Sequence, residues 1–384
     1  MNHVVCHYSE IGLKGKNRSF FEKKLVSNIK YILPKNSFSS VKRPEGRIII
    51  RLNDDADQEE VRSSLKKVFG LAHFSFAKKV ETDLEKIKNE AVSFLAGKNL
   101  SPRSFRVTTK RSDKSFPHTS PEVSRDVGAE IFKNFEWEVD LENYDLNLFV
   151  EITKEATYLY LEKNAGYGGL PTFSSGKGIL LLSGGIDSPV AGFKMMKRGL
   201  GLDFIHFHAY PMVSNDSIKK AEKLFEKLKK YSPGSKLFLI PFGEIQKKVR
   251  TTIPEKYRIL FYRRLMLIIS ERVAQRRSAK CLITGESLGQ VSSQTLSNMR
   301  VTEQAVNLPV LRPLVGENKN EIISLAKEIK TYEISVLPDQ DCCTLFNPRK
   351  PETKANLKRV LKIGQDLELE ASIGKSIKNK RVLT

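Results

Sequence analysis

A glycine-rich turn at residues 183–188, which reads Ser-Gly-Gly-Ile-Asp-Ser, separates the apolar run ILLL from a helix-like run. Glycines let backbone N–H groups approach an anion closely, and the positive end of the following helix adds to their attraction. The turn has no lysine, and it matches neither the Walker pattern nor the dinucleotide fingerprint G-x-G-x-x-G. We therefore predict a phosphate-binding turn of a different kind, with an ordinary glycine turn as the alternative.

Other polar segments can complete a nucleotide pocket. Residues 284–295, TGESLGQVSSQT, follow a short apolar run and can close over a ribose or a base, although such loops are often plain turns. His206 and His208 share one face of a strand pattern, which favours a pocket wall over a metal site because no cysteine or further histidine is near. Arg263 and Arg264 lie in a long helix pattern, where one of them can reach a phosphate or both can serve solubility.

Two adjacent cysteines, Cys342 and Cys343, lie in the polar segment PDQDCCTLFNPRKP. Arg349 and Lys350 would favour a thiolate there if they are also close in space. A loop thiol near a nucleotide site suggests nucleophilic or sulfur-carrying chemistry, and a structural role for the pair is the alternative.

The remaining cysteines, Cys6 and Cys281, lie in apolar strand patterns and are expected to be buried and inert. The four cysteines include no C-x-x-C pair, which favours a reducing, cytoplasmic setting and argues against a zinc ribbon or an iron–sulfur cluster. No apolar stretch is long enough for a membrane span, and the start of the chain lacks the apolar segment of a secretory signal.

The chain is strongly basic, with 65 Lys and Arg against 44 Asp and Glu and a net charge of +21. Most of the excess lies in residues 177–384. A charge of this size suggests a polyanionic partner, and a generally basic surface is the alternative. Residues 105–128 add a local signal, because their basic side chains alternate with aromatic ones, as suits an RNA backbone and an unstacked end; a solvated strand edge is the alternative. This segment contains Arg106, Lys110, Arg111, Lys114 and Arg125, with Phe105, Phe116 and His118 between them.

The order of strand and helix patterns predicts an α/β protein of several domains. Residues 1–60 indicate a ferredoxin-like unit, and residues 61–165 a second α/β unit. Residues 166–177 are rich in Gly, Ser and Pro and indicate a linker. Residues 178–384 alternate short apolar strands with helices, which predicts a doubly wound, Rossmann-like parallel sheet. Ligands of such sheets bind at the carboxyl ends of the strands, where the turn at 183–188 is expected.

Together these motifs resemble the tRNA 4-thiouridine synthetase family, also called tRNA uridine 4-sulfurtransferases. EIGLKGKNRSFFEKKL resembles the family's N-terminal ferredoxin-like segment, and residues 105–128 with VDLENYDLNLFVEI are similar to its RNA-binding THUMP domain. LLLSGGIDSPVA, TGESLGQVSSQT, LRPLVGENKNEII and TYEISVLPDQDCC resemble, in their usual order, its PP-loop ATP pyrophosphatase domain. The resemblance covers nearly the whole chain and is more specific than any one motif.

The resemblance implies ATP-dependent sulfur transfer to the uridine at position eight of tRNA. ATP, with Mg²⁺, would adenylate O4 of the uridine and release pyrophosphate, and a persulfide sulfur would then displace AMP at C4. Long members of the family carry a rhodanese domain, whereas the present sequence ends at Thr384. The persulfide is therefore expected from another protein, such as a cysteine desulfurase, or by direct loading of Cys342 or Cys343. A family role in making the thiamine thiazole is left open for such a short form.

The same resemblance implies residue roles. Cys342 matches the family's cysteine best, with Cys343 as the alternative, and Asp187 would assist the Mg²⁺–pyrophosphate. A homodimer, no membrane association and no protein-bound metal cluster are expected. The alternatives are a PP-loop enzyme acting on another uridine or on a small molecule, and a tRNA-binding protein without activity. The implied ATP contacts are Leu181, Leu182, Ser183, Gly184, Gly185, Asp187, Ser188, His206, Phe207, Arg263, Gly285 and Gln294.

Overall fold

The computed structural model describes residues 1–44, 46–338, 348 and 350–384. The chain divides into two compact units, Met1–Gly169 and Leu170–Thr384. The border between the units falls inside segment 166–177, where the sequence predicts a linker.

Strands of the first unit form one mixed sheet with helices packed against it. In chain order the strands are β1 (His3–His7), β2 (Phe38–Lys42), β3 (Ile48–Leu52), β4 (His73–Val80), β5 (Ser104–Arg111), β6 (Glu138–Val139), β7 (Leu146–Ile152), β8 (Thr157–Tyr160) and β9 (Asn164–Ala165). The helices are α1 (Arg18–Ile32), α2 (Gln58–Leu65), α3 (Leu84–Ala96) and α4 (Ser120–Phe135). The strand order is β2-β3-β1-β4-β8-β7-β5-β6, and β9 pairs with β4.

Strand β4 joins two hydrophobic cores along this sheet. Its residues 73–77 pair with β1, and its residues 78–80 pair with β8. One core contains Val61 and Leu65 of α2 together with Phe76, and the other lies under β5, β7, α3 and α4. The predicted border at residue 60 therefore cuts through a helix that belongs to the first core, and we propose a border beyond Phe76.

A buried carboxylate connects the strands on either side of β4. Glu151 of β7 is fully buried, and it accepts hydrogen bonds from His7 Nε2 at 3.0 Å and from the Tyr160 hydroxyl at 3.0 Å. Arg47 forms an ion pair with it at 3.1 Å. Burial alone would raise the pKa of Glu151, but its bond to His7 and the charges of His7 and Arg47 hold that pKa below its ordinary value.

The second unit contains the predicted doubly wound sheet. In chain order its strands are β10 (Lys177–Leu181), β11 (Gly201–His208), β12 (Leu237–Pro241), β13 (Cys281–Ile283), β14 (Val310–Leu311) and β15 (Arg381–Leu383). Its helices are α5 (Asp187–Lys197), α6 (Asp216–Leu228), α7 (Gly243–Thr252), α8 (Arg258–Arg276), α9 (Leu296–Glu303), α10 (Lys319–Glu328), α11 (Tyr332–Ser335), α12 (Leu357–Ile363) and α13 (Glu370–Lys378). The described part of the chain has no helix with the length and hydropathy that crossing a membrane requires.

The strand order β14-β13-β10-β11-β12-β15 creates a switch point at the carboxyl end of β10. The chain runs from β10 outward through β11 and β12, and it returns to add β13 and β14 on the other side, all in parallel. Strand β15 is antiparallel to β12. Connections that diverge in this way leave a crevice above the central strands, which is where the glycine-rich turn begins. Cys6 and Cys281 are buried, as the sequence predicts.

The buried imidazole of His208 links the stability of the second unit to pH. Burial, followed by the charges of His206 and Arg381, lowers the pKa of His208 from 6.5 to about 4. The unfolded chain therefore binds the proton more tightly than the folded chain does. The free energy of unfolding consequently decreases as the pH falls from 6.5 towards 4. At pH 5 the loss from this residue should be about 2 kcal/mol. His208→Gln should remove that part of the difference between urea unfolding at pH 7.5 and pH 5, and an unchanged difference would contradict the assignment.

Candidate nucleotide site

Two serines hold the glycine-rich turn in shape between β10 and α5. The Ser188 hydroxyl accepts a hydrogen bond from the backbone N–H of Ser183 at 2.9 Å and lies 3.0 Å from the Ser183 hydroxyl. The N–H of Gly185 donates to the Ser183 hydroxyl at 3.2 Å. Ser188 is buried in the first turn of α5, so these hydrogen bonds connect the turn to the N-terminus of that helix.

A cavity of about 310 Å³ opens beside this turn at the carboxyl ends of β10, β11 and β13. Most of the side chains predicted to contact ATP line it, and Gly184 and Gly185 belong to the turn itself. Sequence reasoning missed Ile205, Met266 and Leu267 because apolar positions in a strand and a helix carry no chemical signal, and it did not single out Thr284 and Glu286 within the loop 284–295. The lining residues are Leu181, Leu182, Ser183, Asp187, Ser188, Ile205, His206, Phe207, Arg263, Met266, Leu267, Thr284, Gly285, Glu286 and Gln294.

One wall of the cavity is apolar and is held by a buried histidine. Nδ1 of His206 lies 2.9 Å from the carbonyl oxygen of Leu182. A carbonyl can only accept, so Nδ1 carries the proton, and the ring is fixed to the end of β10. Met266 and Leu267 of α8 add apolar surface to this wall. A wall of this kind can cover the face of a flat base.

Another part of the cavity lining carries a buried charge cluster centred on Glu286. Arg263 donates to Glu286 and, at 2.9 Å, to the Ser293 hydroxyl. Arg312 donates to Glu286 at 2.6 Å, and the Thr284 hydroxyl donates at 2.9 Å. Burial alone would raise the pKa of Glu286, but the two guanidinium groups hold it below its ordinary value. The cluster therefore keeps the Arg263 guanidinium fixed at the cavity wall.

The two arginines of α8 have separate roles. Arg263 lines the cavity, whereas Arg264 donates to the carbonyl of Val301 and, at 3.1 Å, to the amide oxygen of Gln304. Burial lowers the pKa of Arg264, as expected for a guanidinium held against backbone. Of the two arginines, only Arg263 is placed to reach a phosphate.

The glycine-rich turn contains no lysine, but a lysine from another part of the chain contacts its aspartate. Lys319 Nζ donates to Asp187 Oδ1 at 2.5 Å, and Gln290 Nε2 donates to Asp187 Oδ2 at 2.9 Å. Lys319 is the first residue of α10, where Asn318 and Glu321 form a capping box. That capping pattern, Asn-x-x-Glu, could have marked a helix start and placed Lys319 in its first turn. Nothing in the sequence gives its partner.

Cys342 and Cys343 lie within residues 339–347, outside the described residues. Shortly before them, the hydroxyl of Ser335 donates to the carbonyl of Gly185 at 3.4 Å. The described chain therefore reaches the glycine-rich turn before it enters that segment.

The basic side chains of residues 105–128 differ in their surroundings. Arg111 donates to the carbonyls of Phe116 and His118 at 2.7 and 2.8 Å and so shapes the loop. Arg106 donates to the carbonyl of Leu141 at 3.1 Å. The other three predicted RNA contacts are exposed: Lys110, Lys114 and Arg125.

Two of the three aromatic side chains in the RNA prediction are buried, and for these two the prediction was wrong. Phe105 and Phe116 are buried in the core under α3 and α4, with 1% and 8% of their surface exposed. Neither ring can stack on a base, because Phe105 faces inwards from β5, whose alternate residues face opposite sides, and Phe116 packs into the same core from the loop before α4. Tyr144, under the guanidinium of Arg106 at 5.6 Å, is an exposed ring in the same region.

The second unit has a parallel sheet with a glycine-rich turn and a nucleotide-sized cavity at its switch point, and the first unit has two α/β cores on one sheet. This combination is typical of PP-loop ATP pyrophosphatases with an accessory unit. Three family profiles match the chain. "Thiamine biosynthesis protein (ThiI)" matches residues 173–369, "ThiI ferredoxin-like domain" matches residues 3–75, and "THUMP domain" matches residues 81–162. The chain belongs to the ThiI family, which confirms the resemblance and the fold class inferred from the motifs.

Curated relatives and solved structures agree with this assignment. A probable tRNA sulfurtransferase of Brevibacillus brevis is 43% identical over 96% of this chain and 93% of its own length. A second, from Thermoanaerobacter sp., is 44% identical over 96% of both chains. A crystal structure of a 4-thiouridine synthetase in complex with RNA and with bound ATP is 36% identical, with a TM-score of 0.90 over 100% of this chain and 99% of that chain.

Gly285 offers a direct test of the site's close packing. A Cβ at this position would lie 2.7 Å from the backbone nitrogen of Ser188 and 2.8 Å from the carbonyl carbon of Asp187. Gly285→Ala should therefore displace the glycine-rich turn and weaken ATP binding by about tenfold or more, because overpacking by one methyl group costs about 1–3 kcal/mol. Gly316→Ala, where nothing lies within 4 Å, is the matched control. Calorimetric titration with ATP measures both variants, and equal affinities would refute the packing argument.

Proposed function

We propose that the protein is an ATP-dependent tRNA sulfurtransferase that converts the uridine at position eight of tRNA to 4-thiouridine. One observation carries the proposal: a PP-loop turn, the Asp187–Lys319 ion pair and a cavity of nucleotide size occur together at the switch point of the sheet. The likeness over the full chain to a 4-thiouridine synthetase solved with RNA and ATP supports the choice of substrate.

The lining of the cavity favours one orientation of ATP in our proposal. The apolar wall of Phe207, Met266 and Leu267 suits the adenine, and the glycine-rich turn suits the phosphates. Around the turn and the charge cluster, the cations of Lys319, Arg263 and Arg312 are matched by three carboxylates, those of Asp187, Glu286 and Glu303. Attraction for the phosphates would therefore come from the backbone N–H groups of the turn and from the N-termini of α5 and α10, rather than from an excess of cationic side chains.

Mg²⁺ fits beside Asp187. Its carboxylate is 19% exposed at the cavity wall and supplies the hard oxygen atoms that Mg²⁺ prefers. Bound with ATP, Mg²⁺ would neutralise part of the charge on the departing pyrophosphate. The expected absence of a metal cluster stays a prediction.

The proposed chemistry has two steps. In the first, O4 of the uridine attacks the α-phosphorus, the bond to the β-phosphate oxygen breaks, and N3 of the base loses its proton. Lys319 and the backbone N–H groups of the turn then stabilise the charge that develops on pyrophosphate.

In the second step, the terminal sulfur of a cysteine persulfide attacks C4, and AMP leaves with the oxygen. The base is then joined to the cysteine by a disulfide. A second thiol attacks the cysteine sulfur and forms a new disulfide with it, and the other sulfur stays on C4 as the thiocarbonyl of 4-thiouridine. Cys342 is the proposed carrier, with Cys343 as the alternative. A cysteine desulfurase or another persulfide donor would supply the sulfur.

The first unit would bind the tRNA. Lys110, Lys114 and Arg125 are exposed cations on the THUMP part of the unit, and Arg106 lies over the exposed ring of Tyr144. Phosphate contacts from such side chains hold an RNA without reading its sequence. A homodimer and a cytoplasmic location remain part of the proposal, and the thiamine name of the matched profile supports a second role in thiazole synthesis.

The function is tested by incubating transcribed tRNA with the protein, ATP and sulfide, and then analysing its nucleosides by mass spectrometry. We expect 4-thiouridine at position eight and one pyrophosphate for each thionucleoside. With a persulfide donor in place of sulfide, Cys342→Ser should form no 4-thiouridine but should still release pyrophosphate. Full activity in Cys342→Ser would move the role to Cys343, and full activity in the double variant would end the persulfide proposal. Thiolation of another uridine, or no pyrophosphate at all, would favour the rival functions.

Lys319 tests the phosphate end separately. Lys319→Met should slow pyrophosphate release by about a hundredfold, because a positioned cation that stabilises developing charge is worth that much. Lys327→Met, an exposed lysine near the other end of α10, should leave the rate unchanged. The rate is measured in a single turnover with saturating ATP. Equal rates for the two variants would remove Lys319 from the mechanism.

A further inference from the structure

The second unit ties down the chain on both sides of residues 339–347, which contain the two adjacent cysteines. On the near side, the contact is between α6 and the segment that follows α11. On the far side, it is between α9 and residues 352–355. Both ties are made by buried polar side chains, and neither side chain lines the nucleotide cavity.

Lys220 makes the near tie. Its side chain is buried in α6, with 5% of the residue exposed, and its ammonium group donates to the carbonyl of Leu337 at 2.7 Å. Burying an ammonium group is costly unless it is hydrogen-bonded, and an apolar side chain would pack in the same place at less cost. The hydrogen bond to Leu337 is one contact that a packed apolar side chain could not make, and it fixes the backbone after α11 to α6.

Asn298 makes the far tie. It is fully buried in α9, and its amide nitrogen donates to the carbonyls of Glu352 and Ser292, both at 2.7 Å. Its amide oxygen accepts from the N–H of Ala355 at 3.2 Å. One side chain thus joins the returning chain to the short helical turn at Ser292–Gln294, whose Gln294 lines the cavity.

We propose that Lys220 and Asn298 are positioning residues that hold the two ends of the cysteine segment at fixed points beside the nucleotide cavity. The inference rests on the proposed function, in which a sulfur carried by Cys342 or Cys343 attacks the adenylated base. Attack requires the sulfur and C4 to meet in a narrow geometry, and fixed ends reduce the conformations that a segment must search. Adenylation involves only ATP and the uridine, so it does not depend on the Lys220 tie, whereas the Asn298 tie also supports the turn that carries Gln294.

The test measures two products in one reaction, 4-thiouridine and pyrophosphate, with intact tRNA and a persulfide donor. Lys220→Met keeps the length of the side chain and loses the donor to Leu337. It should lower the ratio of 4-thiouridine to pyrophosphate by about tenfold, since small misplacements of reacting groups have effects of this size or larger. Lys219→Met is the matched control, because Lys219 is the adjacent, exposed residue of α6, and its ratio should equal that of the wild type.

Asn298→Ala supplies the second arm of the test. A thermal unfolding transition recorded for each variant verifies that the variant is folded. Asn298→Ala should lower the same ratio, because the loss of 4-thiouridine should exceed any loss of pyrophosphate release that comes from its contact with the Ser292–Gln294 turn. Equal losses of both products in both variants would mean a merely structural role and would overturn the inference, as would unchanged ratios. Failure of the wild-type protein to form 4-thiouridine would instead overturn the proposed function.

Discussion

The contact between Asp187 and Lys319 is the interaction on which the nucleotide site depends. It joins the first residue of α5 to the first residue of α10, so two helix N-termini converge on one carboxylate. A second ion pair between the same regions, Lys194 to Glu317 at 2.6 Å, holds the start of α10 against α5. Positive helix ends repel each other unless an anion lies between them. The Asp187 carboxylate supplies this anion in the protein. The positive potential of the two helix N-termini would attract a phosphate group in the same way.

The local parts of this site were predictable from sequence. The turn at 183–188 lies between a strand and a helix because an apolar run precedes it and an amphipathic pattern follows it, and both patterns are read within a few residues. Gly285 and Gln294 followed from the resemblance, and both line the cavity. The charge cluster around Glu286 was not predictable, because its partners come from α8 and from the segment after β14.

Side-chain direction was the other limit of the sequence. Arg263 and Arg264 are adjacent, and only the packing of α8 on its neighbours decides which of them faces the cavity. Phe116 looked like a surface aromatic because it stands in a polar loop, yet it is buried against the core of the first unit. The segment 105–128 was identified correctly as part of a THUMP domain, but its two phenylalanines belong to the hydrophobic core.

Strand β4 gives the first unit a property that neither of its two cores has alone. Its amides pair with β1 along one stretch and with β8 along the next, and Glu151 binds His7 across the same joint. Opening either core at this strand would break bonds that the other core needs and would expose a buried carboxylate. The ferredoxin-like and THUMP parts should therefore unfold together as one cooperative unit, although they are matched by separate profiles.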